Sequence, residues 1–446
     1  MITENEKQLA LDSIGMALEE GAQHCRINLS KNTTDIVDTL DGELDKLSHC
    51  LDRGLTINLF VDGRFGSFST NRLDREQLRA FIREAVAMTR LLAPDGCRRL
   101  PEPSRCCTAA LTGDELGLYD PAYSAMDAAL RREMALRAAI FGRCPELSGA
   151  NLISEEGEYS DSEFDSITAD SNGLFCRHLE TSFEYVSQVT VEASDGRKYS
   201  GYWWESSPRL AGLNTEETGR KAVARAMEQI GSAPVRGGKY TMVVDSEVAS
   251  KLLTPVLNAL GGYSLQQNNS FMADTLDKAV FSEAFTVIDD CLRKGESGSR
   301  LFDSEGVATR TAPVIEKGVV KQYFINTYIA GKMGLSPTVE DCTRAHLLPY
   351  PQTGLDRAEI LRRAGSGILV TGFNGGNCNS ATGDFSYGVE GFRFENGVCT
   401  SPVSGMLVTG NFLKLWSSLV MAGDDTRSCQ GKLVPTLCFE DVDFNG

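Results

Sequence analysis

Histidine is scarce: the 446 residues contain four, His24, His49, His178 and His346. None stands at helical ligand spacing from another, so neither HExxH nor HExxxH occurs. Histidine is the commonest general base and zinc ligand, and the local signatures of both roles are missing. Each of the four is read as structural or surface. The chain also has no CxxC pair, no GxxxxGKS/T phosphate loop and no GxSxG elbow.

Positive charge is short as well. Lys and Arg number 44 against 61 Asp and Glu, a formal net charge of -17. Such a balance works against phosphate-backbone binding, and no basic run with interleaved aromatics offsets it. No direct nucleic-acid partner is expected. No apolar run approaches a membrane span, and "MITENEKQLALDS" carries no signal-peptide pattern. The 13 cysteines are scattered, with Cys106-Cys107 the one close pair, which reads as reduced thiols rather than a disulfide framework. A cytoplasmic protein with no membrane partner is the expectation.

What is present fits a multi-domain α+β chain. Hydrophobic residues make up 41% and charged residues 24%. Three regions are expected: 1-110, 111-230 and a Gly-rich, strand-dominated 231-446. Leu11, Ile14 and Leu18 mark one face of a first helix that Gly21 stops. Several short β-like runs follow, with turn chemistry at "LDGEL", "LDRGL" and "VDGRFG". Asp74, with Gln77 three residues on, opens a helix whose apolar face is Leu78, Phe81, Ile82, Ala85 and Met88. Asp120 and Pro121 open the next. From Leu152 to Tyr202 the pattern is β, with "DSNGLF" as a hairpin turn and "FEYVSQVTVEA" alternating. "NTEETGRKAVARAMEQIG" reads as a closing helix. "GGKYTMVVDSEVASKLL" then starts afresh as strand and helix. "NFLKLWSSLVMAG" reads as a helix capped by Asn411, with Phe412, Leu415, Trp416, Leu419 and Val420 on its apolar face and Gly423 as its stop.

Few stretches carry chemistry. "GSGILVTG" has helix, glycines and strand in the reverse of dinucleotide-binding order. "FNGGNCNSATGDFSYGVEGFRFENG" reads as a hairpin or meander with Phe385, Tyr387 and Val389 on one face; the alternative is a peptide-accepting edge. In "DSEGVATRTAPVIEKGVVKQYFINTYIAGKMG" two strands flank "EKG", and Asp303 and Glu305 read as turn caps before metal ligands.

The last two stretches, with "PVSGMLVTGN" and the ending "MAGDDTRSCQGKLVPTLCFEDVDF", resemble the TldD/PmbA family over nearly the whole chain. That family is labelled as modulators of DNA gyrase and classed with metallopeptidases. Its TldD-like branch carries HExxxH on a helix, with a C-terminal Cys completing a zinc site; its PmbA-like (TldE) branch lacks the motif. Registered on "GGYSLQQNNSF", the resemblance places Thr254, Pro255 and Ala259 where the two His and the Glu would stand, on a helix over 246-260. Cys429 takes the third ligand's place. Pro255 is read as lying near the helix start, where a missing N–H is tolerated. The resemblance thus implies a subunit with no catalytic residue, metal or cofactor of its own. Zinc is expected in a TldD-like partner, with unfolded peptide as substrate and a homodimer when isolated. "NFLKLWSSLVMAG" would suit that dimer's interface were it exposed. Thr382, Asp384, Ser386, Tyr387 and Gly388 are the expected cavity or peptide contacts. Two rival readings stay open: an autonomous hydrolase using Cys429, and a regulatory protein binding gyrase without a peptidase role.

Overall fold

The computed structural model describes residues 1–142, 147 and 149–446. Asp41-Gly42 and Asp62-Gly63 take positive φ (52° and 80°, then 52° and 72°), which reverses the chain within two residues. These turns join the strands of the first run of elements: α1 (Glu4–Glu19), β1 (His24–Leu40), β2 (Glu43–Val61), β3 (Arg64–Thr70) and α2 (Arg75–Thr89). After α3 (Ala128–Ala138) come β4 (Ala150–Asp170), β5 (Phe175–Ala193), β6 (Lys198–Ser207) and α4 (Thr218–Glu228). All six strands form one antiparallel sheet in the order β3-β2-β1-β4-β5-β6.

The C-terminal half opens with β7 (Gly238–Val244), α5 (Ser246–Ala259) and α6 (Gly262–Gln266). A small sheet follows from β8 (Val287–Asp289), β9 (Ala312–Glu316) and β10 (Val319–Val320), then α7 (Thr327–Met333) and β11 (Ala345–Leu347). α8 (Arg357–Ala364) precedes the meander β12 (Gly367–Cys378), β13 (Asp384–Glu395) and β14 (Val398–Asn411); α9 (Phe412–Ser417), β15 (Leu419–Ala422) and β16 (Leu437–Asn445) end the chain. The second large sheet runs β14-β13-β12-β7-β16-β15, and a β14–β16 pairing closes it on itself. The α+β expectation, with a strand-rich C-terminal domain, holds.

Several local expectations change. The strands β1, β2, β4 and β5 run 17 to 21 residues, continuing past the patch that helices cover. "LDRGL" is no turn: Arg53 and Gly54 pair with Lys31 and Ser30 inside the β1–β2 ladder. α1 buries Leu9, Ala10, Ser13, Met16 and Ala17, while Leu18 is exposed. In α2 the inward position belongs to Val86 and Met88 is exposed. Asp120 caps only a short 3-10 turn, Pro121–Ala125; Asp127 caps α3 through the Leu130 N–H. The "NFLKLWSSLVMAG" helix stops after one and a half turns. Leu419, Met421 and Ala422 instead pair with β16, and Trp416 is fully buried, stacked 4.0 Å from Phe285. That segment offers no dimer face. The described cysteines are all free, and Cys144 lies outside the described residues.

Charges are buried where the first sheet meets its helices. Arg131 on α3 forks onto Asp161 of β4 (2.8 and 2.9 Å) and reaches Asp35 of β1 (3.1 Å), and the Asp161 side chain has no exposure. Burial pushes the Asp161 carboxyl up while Arg131 pulls it down. Glu6 closes a capping box with Thr3 and pairs with Arg53 at 2.7 Å. Burial alone would raise the Glu6 carboxyl, but the Thr3 N–H, Arg53, the Thr3 hydroxyl and Lys31 outweigh it and hold it at about 2.

Two outcomes follow from these pairs. Arg131→Ala strands a buried carboxylate and lowers stability by about 3–5 kcal/mol in urea unfolding; an unchanged midpoint would refute this. Glu6 has its folded pKa below the ordinary 4.5, so its contribution is present above that pH and lost as pH falls toward 2. The difference between wild type and Glu6→Gln should be about 1–2 kcal/mol at neutral pH, solvent screening around the part-exposed Arg53 lowering it, and shrink steadily below pH 4.5.

Candidate functional site

α5 is built to pack. Asp245 caps it through the Glu247 N–H, and Leu252, Leu253, Val256 and Leu257 enter the core formed with β7, β12 and β13. The opposite face carries Lys251, Thr254, Pro255 and Asn258, at the i, i+3, i+4, i+7 spacing of one helical stripe. Pro255 stands tenth of 14 helical residues, in the interior rather than near the start. Its missing N–H leaves the Lys251 carbonyl without its helical donor. Thr254 Oγ1 donates to the Ser250 carbonyl at 2.8 Å, so its hydroxyl is engaged within the helix. Ala259 is buried, and its carbonyl accepts the Ser270 hydroxyl at 2.5 Å.

Three protein donors and one open position make a catalytic zinc site. Thr254, Pro255 and Ala259 do not supply that donor set. Among the described residues no three His, Cys, Asp or Glu side chains gather as a metal site. Asp303 accepts the Glu305, Val307 and Glu340 N–H groups and so caps its turn, whereas Glu305 accepts the Thr327 N–H at the start of α7. Burial pushes the Asp303 carboxyl up to about 6.

Cys429 sits beside the first turn of α5. Its carbonyl accepts the Ser206 hydroxyl, and the neighbouring Gln430 amide donates to the Ser246 and Glu247 carbonyls. Glu247 and Thr254 are about 10 Å apart along the helix axis. Burial pushes the Cys429 thiol up against the opposing pull of Arg427, the wrong direction for a nucleophile. His49, His178 and His346 each face a carboxylate, Asp35, Glu180 and Asp290.

The hairpin divides the five expected contact residues. Tyr387 points to the α5 side and is buried with Phe385 and Phe412; Lys251 Nζ lies 5.4 Å from its ring centre. Burial raises its hydroxyl to about 12. By strand alternation Ser386 and Gly388 face the other way, beside Thr409 and the exposed Leu407 of β14. Gly388 is required there, because a Cβ would meet the Asn374 carbonyl oxygen at 2.4 Å. Thr382 and Asp384 fix the hairpin tip: Thr382 Oγ1 donates to Asp384, and Asn411 Nδ2 donates to Asp384 and to the Thr382 carbonyl.

One cluster escaped the sequence reading. Arg427 lies over Trp203 (4.2 Å) and Trp204 (4.4 Å) and donates to the Trp204 carbonyl. Lys221, Arg225, Glu205 and Glu247 complete a charged cavity of about 460 Å³ where β6 and α4 meet the start of α5. "YWWES" and "DDTRSCQG" hold its parts more than 200 residues apart, and nothing local in either foretells their contact.

Three family models match this chain in order: PmbA/TldA metallopeptidase domain 1 over residues 25–89, the central domain over 123–230 and the C-terminal domain over 237–446. It is 27% identical to the metalloprotease PmbA of Escherichia coli O157:H7, across 97% of this chain and 96% of that one. A crystal structure of a Bacteroides thetaiotaomicron protein, named as a modulator of DNA gyrase, matches at 39% identity and TM-score 0.94, with both chains fully covered. TldE from Thermococcus kodakarensis shares the fold at 18% identity and TM-score 0.81, across 98% of this chain and all of that one. With these domain models in sequence and a relative 39% identical from end to end, the chain belongs to the PmbA/TldD family.

Proposed function

We propose that this chain is the non-catalytic, TldE-like subunit of a TldD/TldE-type metallopeptidase system acting on unfolded proteins or peptides. The observation that carries the reading is the outward stripe of α5. It presents Lys251, Thr254, Pro255 and Asn258, and the Thr254 hydroxyl is already bonded to Ser250. A metal that activates water needs ligands of another kind, so hydrolysis belongs to a partner that has them. The partner in this reading is a TldD-like chain carrying the zinc, and the location is the cytoplasm.

This chain's own residues would bind and orient. Residues 1-110 and 111-230 build the first sheet, and residues 231-446 carry the wall that a peptide meets. Ser386 and Gly388, with the tip held by Thr382 and Asp384, offer an open strand face, and buried Tyr387 supports that face from behind. The name carried by the Bacteroides relative keeps gyrase binding as a second reading; it favours a chain active without a peptidase partner.

The test combines elemental analysis with a quenched unfolded-peptide assay, on the chain alone and mixed with a TldD-like chain from the same cell. The expected result is no zinc and no cleavage alone, with cleavage on mixing. Zinc or cleavage from this chain alone would overturn the reading. Ser386→Arg should then raise the KM of the mixed complex by about threefold to tenfold while stability stays within about 0.5 kcal/mol. An unchanged KM would remove Ser386 from the peptide path.

A further inference from the structure

Residues 105–118 form a strap between the two halves. On one side the Arg177, Leu179 and Thr181 N–H groups of β5 donate to the Ala110, Gly113 and Leu118 carbonyls. On the other, the Cys107 N–H donates to the Gly306 carbonyl at 2.9 Å and the Ala308 N–H to that of Arg105. Where the strap crosses between them, Cys107 meets Cys176 of β5. The Cys176 thiol is fully buried and lies within reach of both the Cys107 carbonyl oxygen, at 3.4 Å, and the Cys107 sulfur. Cys106 takes no part in this contact: its thiol reaches back to the Glu102 carbonyl at 3.6 Å.

A cavity of about 280 Å³ lies against Cys106 and Cys107, walled by Pro101, Leu111, Leu174 and Phe175. Asp170 lines it as well, so apolar wall and carboxylate together favour a small neutral molecule over an anion. The surroundings of Cys107 suit an attacking sulfur. The Cys176 thiol and the Ala109 and Ala110 N–H groups hold its thiol at about 6, against burial and the Glu115 carboxylate. Cys25 and Cys438 have no donor turned to their sulfurs, and burial pushes both up to about 12. Thiols of that kind are inert, whereas a thiolate beside a cavity and a second thiol is reactive.

We propose that Cys107 and Cys176 are a dithiol that reacts with hydrogen peroxide, with Cys107 as the attacking sulfur and Cys176 as the resolving one, and that their disulfide fastens the strap to β5. The Cys107 thiolate attacks one peroxide oxygen and the O–O bond breaks. The departing hydroxide takes up a proton and leaves as water, and Cys107 becomes a sulfenic acid. The Cys176 sulfur then displaces that hydroxyl: an S–S bond forms, the S–O bond breaks, and the Cys176 proton leaves with the hydroxyl as a second water. The dithiol loses two electrons and the peroxide gains them. The inference concerns the strap alone and is independent of the peptidase reading.

The test treats the full-length reduced chain with a few equivalents of hydrogen peroxide at neutral pH and maps it by non-reducing peptide mass spectrometry. A Cys107–Cys176 linked peptide should accumulate at least about tenfold faster than oxidation of the exposed Cys50 and Cys399, and a thiol reductant should reverse it. Cys176→Ser keeps a hydroxyl donor beside Cys107 and should stop at the sulfenic acid, which a dimedone adduct on Cys107 reports. Cys107→Ser should leave Cys176 reduced, and Cys106→Ser should leave the linked peptide unchanged. Oxidation that begins at Cys50 or Cys399, a Cys106–Cys107 link, or a Cys107→Ser chain whose Cys176 oxidises as fast as in wild type each overturns the proposal. Circular dichroism reads the fold of each variant, and the wild-type arm stands without them.

Discussion

The pairing of β1 with β4 is the constraint on which the N-terminal half depends. It runs from Arg26↔Asp170 to Leu40↔Glu156 and joins segments more than 115 residues apart. Closing so long a loop is entropically unfavourable until the ladder forms, and the ladder then fixes every register on both sides. β2 and β3 hang from β1, and β5 and β6 from β4. Arg131 ties the same seam from above, with one guanidinium spanning Asp35 on β1 and Asp161 on β4. A slip of one residue would place these carboxylates on opposite faces, so the ion pair and the ladder enforce one register together.

Much of this was legible where chemistry is local. Asp-Gly turns, the Asp74 and Asn411 caps and the alternation from Phe183 to Ala193 all follow from neighbouring residues. Strand length was not legible, because hydrophobicity falls off where helix cover ends while the backbone ladder continues. Polar residues such as Asp52 therefore sit in regular strand. The end of α9 was hidden for a related reason. Leu419 fits a helical face equally well, and its pairing with Phe439 of β16 decides the conformation. Long-range partners override local preference in both cases.

The site was legible in outline only. Sequence register placed Thr254, Pro255 and Ala259 on one helix, and the structure has them on α5. It could not tell that Ala259 faces inward, or that Tyr387 and Ser386 part to opposite sides of β13. Least visible was the stacking of Arg427 on Trp203 and Trp204. That contact exists because the C-terminal segment returns to the start of α5, a fact of topology with no local signature.

α5 shows why fold and function separate in this chain. Its stability comes from Leu252, Leu253, Val256 and Leu257, each burying apolar area worth about 2 kcal/mol. Its outward stripe contributes little to that total, so donors there can be exchanged for Thr254 and even Pro255 while the helix holds. Proline normally destabilises a helix interior by about 3 kcal/mol, and the buried face is large enough to absorb it. A helix so anchored keeps its place whatever side chains its outward stripe carries. The same asymmetry explains why the family fold could be read from the order and spacing of its motifs, whereas its chemistry turns on a handful of exposed side chains that packing does not dictate.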